Sequence, residues 1–419
     1  MDLLPGTLTP SLQEYVTRVG AKLPFAQVVE ELRLTFRVVM SEPTVRRHTE
    51  AAGEAYVAVQ TAEAAALERD APPAPAGPAV QQMSVDGCMV PLVGKEWGEV
   101  RTVAIGVVGE PVERNGEWEV HSDQVSYFSR LCDAETFTRL AVVETHRRGT
   151  ETAQTVVGVV DGAEWEQGFL DMHRPDAVRI LDFPHAAGYV ATVGQVVHGQ
   201  GTEAAAAWLA EERHKLKHET PEAVLADLRC MQEGVQAGGK ADAAGLAAIE
   251  DSIRYLDKRT AQMRYAQFQA AGYPIGSGMV ESGNKVVVEA RLKGAGMHWA
   301  GDHVNPMLAL RTAVCSGRWE ETWPAIYRQR RAMVQEQRTT RGCAGHRAGQ
   351  TAADQLPKPG LSGTIRPRGL PAGRVGLGDS TTPGDGRDPR RPAPDHPWRH
   401  APIGQARYRS PGQGCPPKP

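Results

Sequence analysis

Four acids and one histidine in this 419-residue chain stand where chemistry could be built. Asp86 follows MSV, Asp161 follows TVVGVV and Asp182 follows VRIL. Glu281 lies just inside a helix opened by the Gly-rich stretch PIGSG at 274–278, and His185 falls three residues after Asp182. Each has an ordinary explanation when taken alone. An Asp that ends a strand is a turn former, a Glu in a first helical turn complements the helix dipole, and a His near a helix start is often structural. Taken together they suggest more. Carboxylates converging from separate rigid elements make a hard, oxygen-rich site suited to Mg²⁺ or Mn²⁺. Two such ions can activate a water or a 3′-hydroxyl and stabilise the leaving oxygen of a phosphodiester. In-line displacement depends on position, so the acids must come from strand ends and helices rather than loose loops.

The elements needed to hold them are readable. A strand over 83–86 ends at Asp86-Gly87, a second covers 100–108 and a third is expected at 117–121. A helix follows over 132–148. The uninterrupted apolar run TVVGVV suits a strand buried on both faces and stops at Asp161-Gly162. A helix over 164–172 leads to a further strand ending at Asp182. The order is strand, strand, strand, helix, strand, helix, strand. That is the α/β, ribonuclease-H-like arrangement with a mixed sheet, in which the first and fourth strands are neighbours and bring their acids together. Residues 82–189 form the first part of this core. Residues 190–270 lack strand signals and show helical apolar spacing at Trp208 and Leu209, Leu225 and Leu228, and Ile249, Ile253 and Leu256, so they read as an all-helical insertion. The second part of the core, 271–325, carries the Glu281 helix over 279–292 and another helix over 304–315.

Upstream, residues 1–70 are helical. A helix over 24–34 and a second beginning at Ser41, a good N-cap with Pro43 in the first turn, resemble a helix-turn-helix. Thr44, Arg46, Arg47 and His48 project outward in that reading, and Arg46 and Arg47 are the residues expected at DNA. A helical stretch over 50–69 follows. The Pro/Ala segment 71–81 reads as a linker and domain boundary.

The net charge of −3 hides an asymmetry. Residues 324–419 hold 17 Lys and Arg against 6 Asp and Glu, so a basic tail follows an acidic body. A polyanion is one partner for such a tail; a merely solvated tail is the other reading. From 326 the chain is Gly/Pro/Arg-rich and expected to be mostly disordered, with Trp398 as one aromatic anchor. The six cysteines have no paired spacing, which fits a reducing cytosol rather than a disulfide scaffold or zinc ribbon. There is no long apolar run and no signal peptide at the start, so a cytoplasmic, nucleoid-associated protein without membrane contact is expected.

Several motifs are similar to those of bacterial insertion-sequence transposases of the DDE type, in the ISKra group related to Mutator-like transposases. They are SVDG (84–87), VVDGAEW (159–165), ILDFPHA (180–186), PIGSGMVESGNKVVVEARLKGAGMHW (274–299), the LALR and SGRWEETW segments within 308–323, and DHPWR (395–399). The resemblance covers about 20–325 plus the short tail motif. It implies a catalytic triad, two divalent ions, action on transposon-end and target DNA, and a homodimer or higher oligomer. Carried over residue by residue, it makes Asp86 the first metal-binding catalytic acid and Glu281 the last. Asp161 is preferred as the middle one because it ends the fourth strand; Asp182 is the alternative. Asp182 and His185 then match a C/D-x-x-H motif, and Lys285 and Arg291 are expected to meet phosphate. Relatives often carry an N-terminal Cys-rich zinc-binding segment that this sequence lacks. A decayed, inactive DNA-binding descendant and a nuclease without strand transfer stay open as alternatives.

Overall fold

The structure, a computed structural model, describes residues 8–114, 117–238 and 241–353. The seven strands among the described residues are β1 (Val80–Pro91), β2 (Trp97–Val108), β3 (Val112–Arg114), β4 (Glu117–Glu119), β5 (Ser122–Leu131), β6 (Thr155–Val160) and β7 (Val178–Leu181). Five of them form one mixed sheet in the order β5-β2-β1-β6-β7, and β3 and β4 pair as a separate short hairpin. β1 and β2 are antiparallel, as are β2 and β5, while β1, β6 and β7 run parallel.

Register sets the acids level. Met83 pairs with Gly158, and three residues further on come Asp86, still in β1, and Asp161, just past the end of β6. Val160 pairs with Leu181, and the next residues are Asp161 and Asp182. Three neighbouring parallel strands therefore deliver three acids at one height.

Fifteen helices accompany the sheet among the described residues. They are α1 (Pro10–Gly20), α2 (Phe25–Phe36), α3 (Glu42–Asp70), α4 (Ala134–Leu140), α5 (Val142–Arg147), α6 (Glu164–His173), α7 (Phe183–His198), α8 (Glu203–His218), α9 (Pro221–Gly238), α10 (Ala243–Asp257), α11 (Tyr265–Ala270), α12 (Gly278–Gly283), α13 (Ala290–Leu292), α14 (Gly301–Cys315) and α15 (Trp319–Ala353). A π-helical turn, Asn284–Glu289, joins α12 to α13. β6 shows why the layers sit where they do. Its alternate side chains feed two cores, Val156 and Val160 on one face with Phe137, Phe169 and Leu170, and Val157 and Val159 on the other with Val190, Leu225 and Ile253. The first face packs α4 and α6, and the second packs the helical layer α7–α10. No described helix is long and apolar enough to cross a membrane.

Several expectations change. β1 does not stop at Asp86. It runs on to Pro91 because β2 continues to pair with it as far as Trp97, so Asp86 lies mid-strand, past the last residue of β1 paired with β6. The expected third strand at 117–121 is only half of the small hairpin; the long third strand is β5. The helix expected over 132–148 is two, α4 and α5, meeting at Ala141. The second N-terminal helix and the stretch after it are one 29-residue helix, α3.

The N-terminal helices are no separate body either. Val28, Leu32 and Val45 share a core with Val90, Val100, Val288 and Leu292, so the segment 71–81 connects parts of one compact unit. The chain expected to be disordered from 326 continues helical through Ala353. Most of the basic tail, including Trp398 and the DHPWR motif, lies outside the described residues.

Candidate active site

Asp86 is held by two donors. The Gly87 N–H donates to Oδ1 at 2.6 Å and Asn284 Nδ2 donates to Oδ2 at 2.8 Å. Burial pushes its carboxyl above the usual carboxylate range. These two bonds oppose the rise, and the charges of Glu281 and Glu99 add to it.

Asp161 is next to it, immediately after β6, with its side chain 39% exposed. His185 faces it, with Nδ1 3.6 Å from Oδ2. Burial raises its pKa to about 6; His185 opposes this, and Asp182, Asp86 and Glu281 add to it. Asp161 therefore shares one electrostatic environment with the other three acids.

Asp182 is a different kind of residue. It is 2% exposed, and both carboxylate oxygens are taken. Oδ2 accepts the His185 N–H at 2.8 Å and caps α7, while Oδ1 accepts the Ser277 N–H at 2.6 Å. It braces the site from a buried position.

Glu281 is exposed in the first turn of α12, and Ser277 Oγ donates to its Oε1 at 3.2 Å. Ser277 thus links Asp182, through its N–H, to Glu281, through its hydroxyl. Three residues on, Asn284 opens the π-turn and reaches Asp86. Such single-turn widenings are frequent at functional sites. The widened turn is held from outside by Arg311 of α14, which donates to the carbonyls of Val286 and Val287.

A further acid stands beside these. Glu166 is 3% exposed and accepts the Ala163 N–H at 3.0 Å. Burial, then the Asp161 charge, pushes its carboxyl up to about 8.

The phosphate-facing expectations divide. Lys285 is exposed one turn beyond Glu281. Arg291 is not available at the surface. It is 2% exposed, its guanidinium lies over Phe25 at 4.6 Å and Trp299 at 5.1 Å, and its Nε donates to the Gly20 carbonyl. Burial lowers its pKa to about 10. Arg291 is a strut between the Glu281 helix and α1–α2.

Upstream, Arg46 and Arg47 are exposed on α3, and Arg46 stands 3.7 Å from Glu50. His48 turns inward instead, with Arg330 of α15 at 2.9 Å from its Nδ1.

Among the described residues, no three His, Cys, Asp or Glu side chains form a ready-made metal group. Asp86 and Glu281 are each turned onto a protein donor instead. The donor set itself fits a hard divalent cation. It is all oxygen, it is mounted on a strand, the end of another and a helix, and the neighbouring acids raise the carboxyls of Asp86 and Asp161, with His185 opposing the rise at Asp161.

Sequence reading had singled out Asp86, Asp161, Asp182, His185 and Glu281, and the fold gathers all five. It missed Asn284, Glu166, Arg311 and the brace formed by Ser277. The one available signal was the polar spacing Ser277, Glu281, Asn284 along a helical face.

No protein-family model matches the chain, and no curated protein sequence matches it.

Proposed function

We propose that the chain is a metal-dependent phosphoryl-transfer enzyme built on a ribonuclease-H-like sheet. More particularly, it is a DNA transposase of an insertion sequence, acting as a dimer or higher oligomer on element ends and target DNA. With the short hairpin set aside, the sheet order is third, second, first, fourth, fifth strand, which supports the fold. The observation that carries the function is the level placement of Asp86 and Asp161 on neighbouring strands, with Glu281 close enough to raise both of their carboxyls.

In this reading Asp86, Asp161 and Glu281 hold two Mg²⁺ or Mn²⁺ ions. When bound, these ions polarise the phosphodiester and lower the pKa of the attacking water or 3′-hydroxyl. Asp161 is the middle ligand because its side chain is half-exposed, whereas Asp182 is buried as the cap of α7. His185 orients the Asp161 carboxylate, and Asn284 fixes that of Asp86. Glu281 would hold its ion from the first turn of α12, where Ser277 Oγ donates to it. Lys285 meets a backbone phosphate near the acids, and Arg46 and Arg47 contact DNA further away.

The test incubates the protein with element-end DNA and Mg²⁺ or Mn²⁺ and looks for cleaved and joined strands. Cleavage that is lost in Asp86→Ala supports the site. Cleavage without joining reduces the function to a nuclease. End binding with no metal-dependent product from folded protein leaves a DNA-binding protein and overturns the enzyme.

A further inference from the structure

The turn that carries Asp161 is gripped from the helical layer. Tyr255, near the end of α10, donates its hydroxyl to the Asp161 carbonyl. Arg259, one turn on, donates to the Gly162 carbonyl from Nε at 3.2 Å and Nη2 at 2.5 Å. The two residues brace each other. The Arg259 guanidinium lies 3.7 Å from the Tyr255 ring centroid, and its Nη1 donates to the Tyr255 carbonyl at 3.0 Å. Tyr189 of α7 stacks on the other side of Tyr255 at 4.0 Å and 15°. The His185 ring, which faces the Asp161 carboxylate, meets both tyrosines edge-on at 5.3 and 5.8 Å.

Gly162 is fitted to this grip. Its φ of +84° favours glycine, and a Cβ there would lie 2.4 Å from Arg259 Nε. Nothing in the sheet supplies these bonds. β6 ends at Val160, so the Asp161 and Gly162 carbonyls lie beyond its end and are satisfied from the helical layer.

We propose that Tyr255 and Arg259 are positioning residues that fix the Asp161 turn for cation binding, so that the helical layer completes the acid site as well as covering the sheet. This rests on the metal-dependent reading above. Outer partners of a ligand commonly change metal affinity or activity by 10–100-fold.

The test uses the full chain and Tyr255→Phe, which keeps the ring stack and removes only the hydroxyl. Mn²⁺ affinity is read from the free-ion resonance in electron paramagnetic titration, alongside thermal melting and Mn²⁺-dependent cleavage of element-end DNA. About 10-fold weaker Mn²⁺ binding at near-native melting temperature, with cleavage restored at high Mn²⁺, is the expected result. Arg259→Lys, which keeps the charge and loses the fork, should shift affinity in the same direction. Arg254→Ala, an exposed change on the same helix, should leave it unmoved. If the wild-type chain binds Mn²⁺ and cleaves, and folded Tyr255→Phe and Arg259→Lys do so with the same metal dependence, the positioning role is overturned and the enzyme reading stands. If the folded wild-type chain neither binds Mn²⁺ nor cleaves, both fall.

Discussion

The backbone N–H of Ser277 donates to Asp182 Oδ1 across 2.6 Å, fastening the loop before the Glu281 helix to the end of β7. This bond separates two acids that look alike in the sequence. Asp182→Ala removes it together with the α7 cap and leaves a buried and a half-buried N–H group without their partner. A loss of roughly 2–4 kcal/mol follows from such changes, and denaturant unfolding measures it. Asp161→Asn should instead leave the fold intact and abolish metal-dependent cleavage. If Asp182→Ala unfolds at the wild-type denaturant midpoint, the bracing role is wrong.

Glu166 gives the fold a pH dependence with a definite sign. Its folded pKa, about 8, is raised above the ordinary value of 4.5. The folded state therefore holds this proton more tightly than the unfolded chain does. The group does not penalise folding below about pH 4.5, its cost builds as pH rises from there, where the unfolded carboxyl ionises, to about 8, and the cost is constant above that. Glu166→Gln should remove that slope. In EDTA, the variant should melt higher than wild type at pH 9 and about equally at pH 4. The same direction holds for Asp161, whose folded pKa is raised to about 6. A Glu166→Gln variant that loses stability at pH 9 would contradict this account.

Arg291 and Lys285 lie on one helical stretch and should respond oppositely. Arg291→Ala empties the space between Phe25 and Trp299 and leaves the Gly20 carbonyl without its donor. Losses of about 2–4 kcal/mol are usual for emptying a buried, hydrogen-bonded site of this kind. Lys285→Ala should change stability by less than about 0.5 kcal/mol. It should weaken element-end DNA binding across sequences and reduce the salt dependence by about one phosphate contact. Binding titrations at several salt concentrations, paired with melts, distinguish the two.

What could be read in advance follows from where the forces are local. TVVGVV and VRIL announce buried strands because every residue that faces a core is apolar, and the acid that follows each is visible for that reason. β5 was missed because its pattern is misleading. In SDQVSYFSRL the buried positions include Ser126, Ser129 and Arg130, each bonded to a distant partner: Glu144 for Ser126, Thr102 for Ser129 and Gln60 for Arg130. Hydropathy cannot show a strand whose buried face is polar and paired through tertiary contacts. Arg291 misled for a related reason. A guanidinium looks like a surface charge until two aromatic rings from elements far apart in sequence enclose it. The linker at 71–81 has the right composition for a boundary. Nothing local reveals that α3 packs against α14 and α15.

That packing makes the last prediction. α3 and α14 approach so closely at Gly53 that a Cβ there would lie 2.3 Å from the Pro306 carbonyl oxygen. The obstacle is backbone, so the helices must separate. Overpacking of this kind costs about 1–3 kcal/mol. The displacement should also reach the acids, because α14 carries Arg311, whose guanidinium holds the π-turn that presents Asn284 to Asp86. Gly53→Ala should therefore lower both the melting temperature and metal-dependent activity. Gly168 is the control. It is exposed within α6, and a Cβ there meets nothing within 4 Å. Gly168→Ala should stabilise by about 0.5–1 kcal/mol, since alanine loses less backbone freedom in a helix. Opposite shifts in the two melts would show that α3 is packed into the body that carries the acids. Equal melts would mean that the helices can part at Gly53 without cost, and the N-terminal helices would then be an appendage.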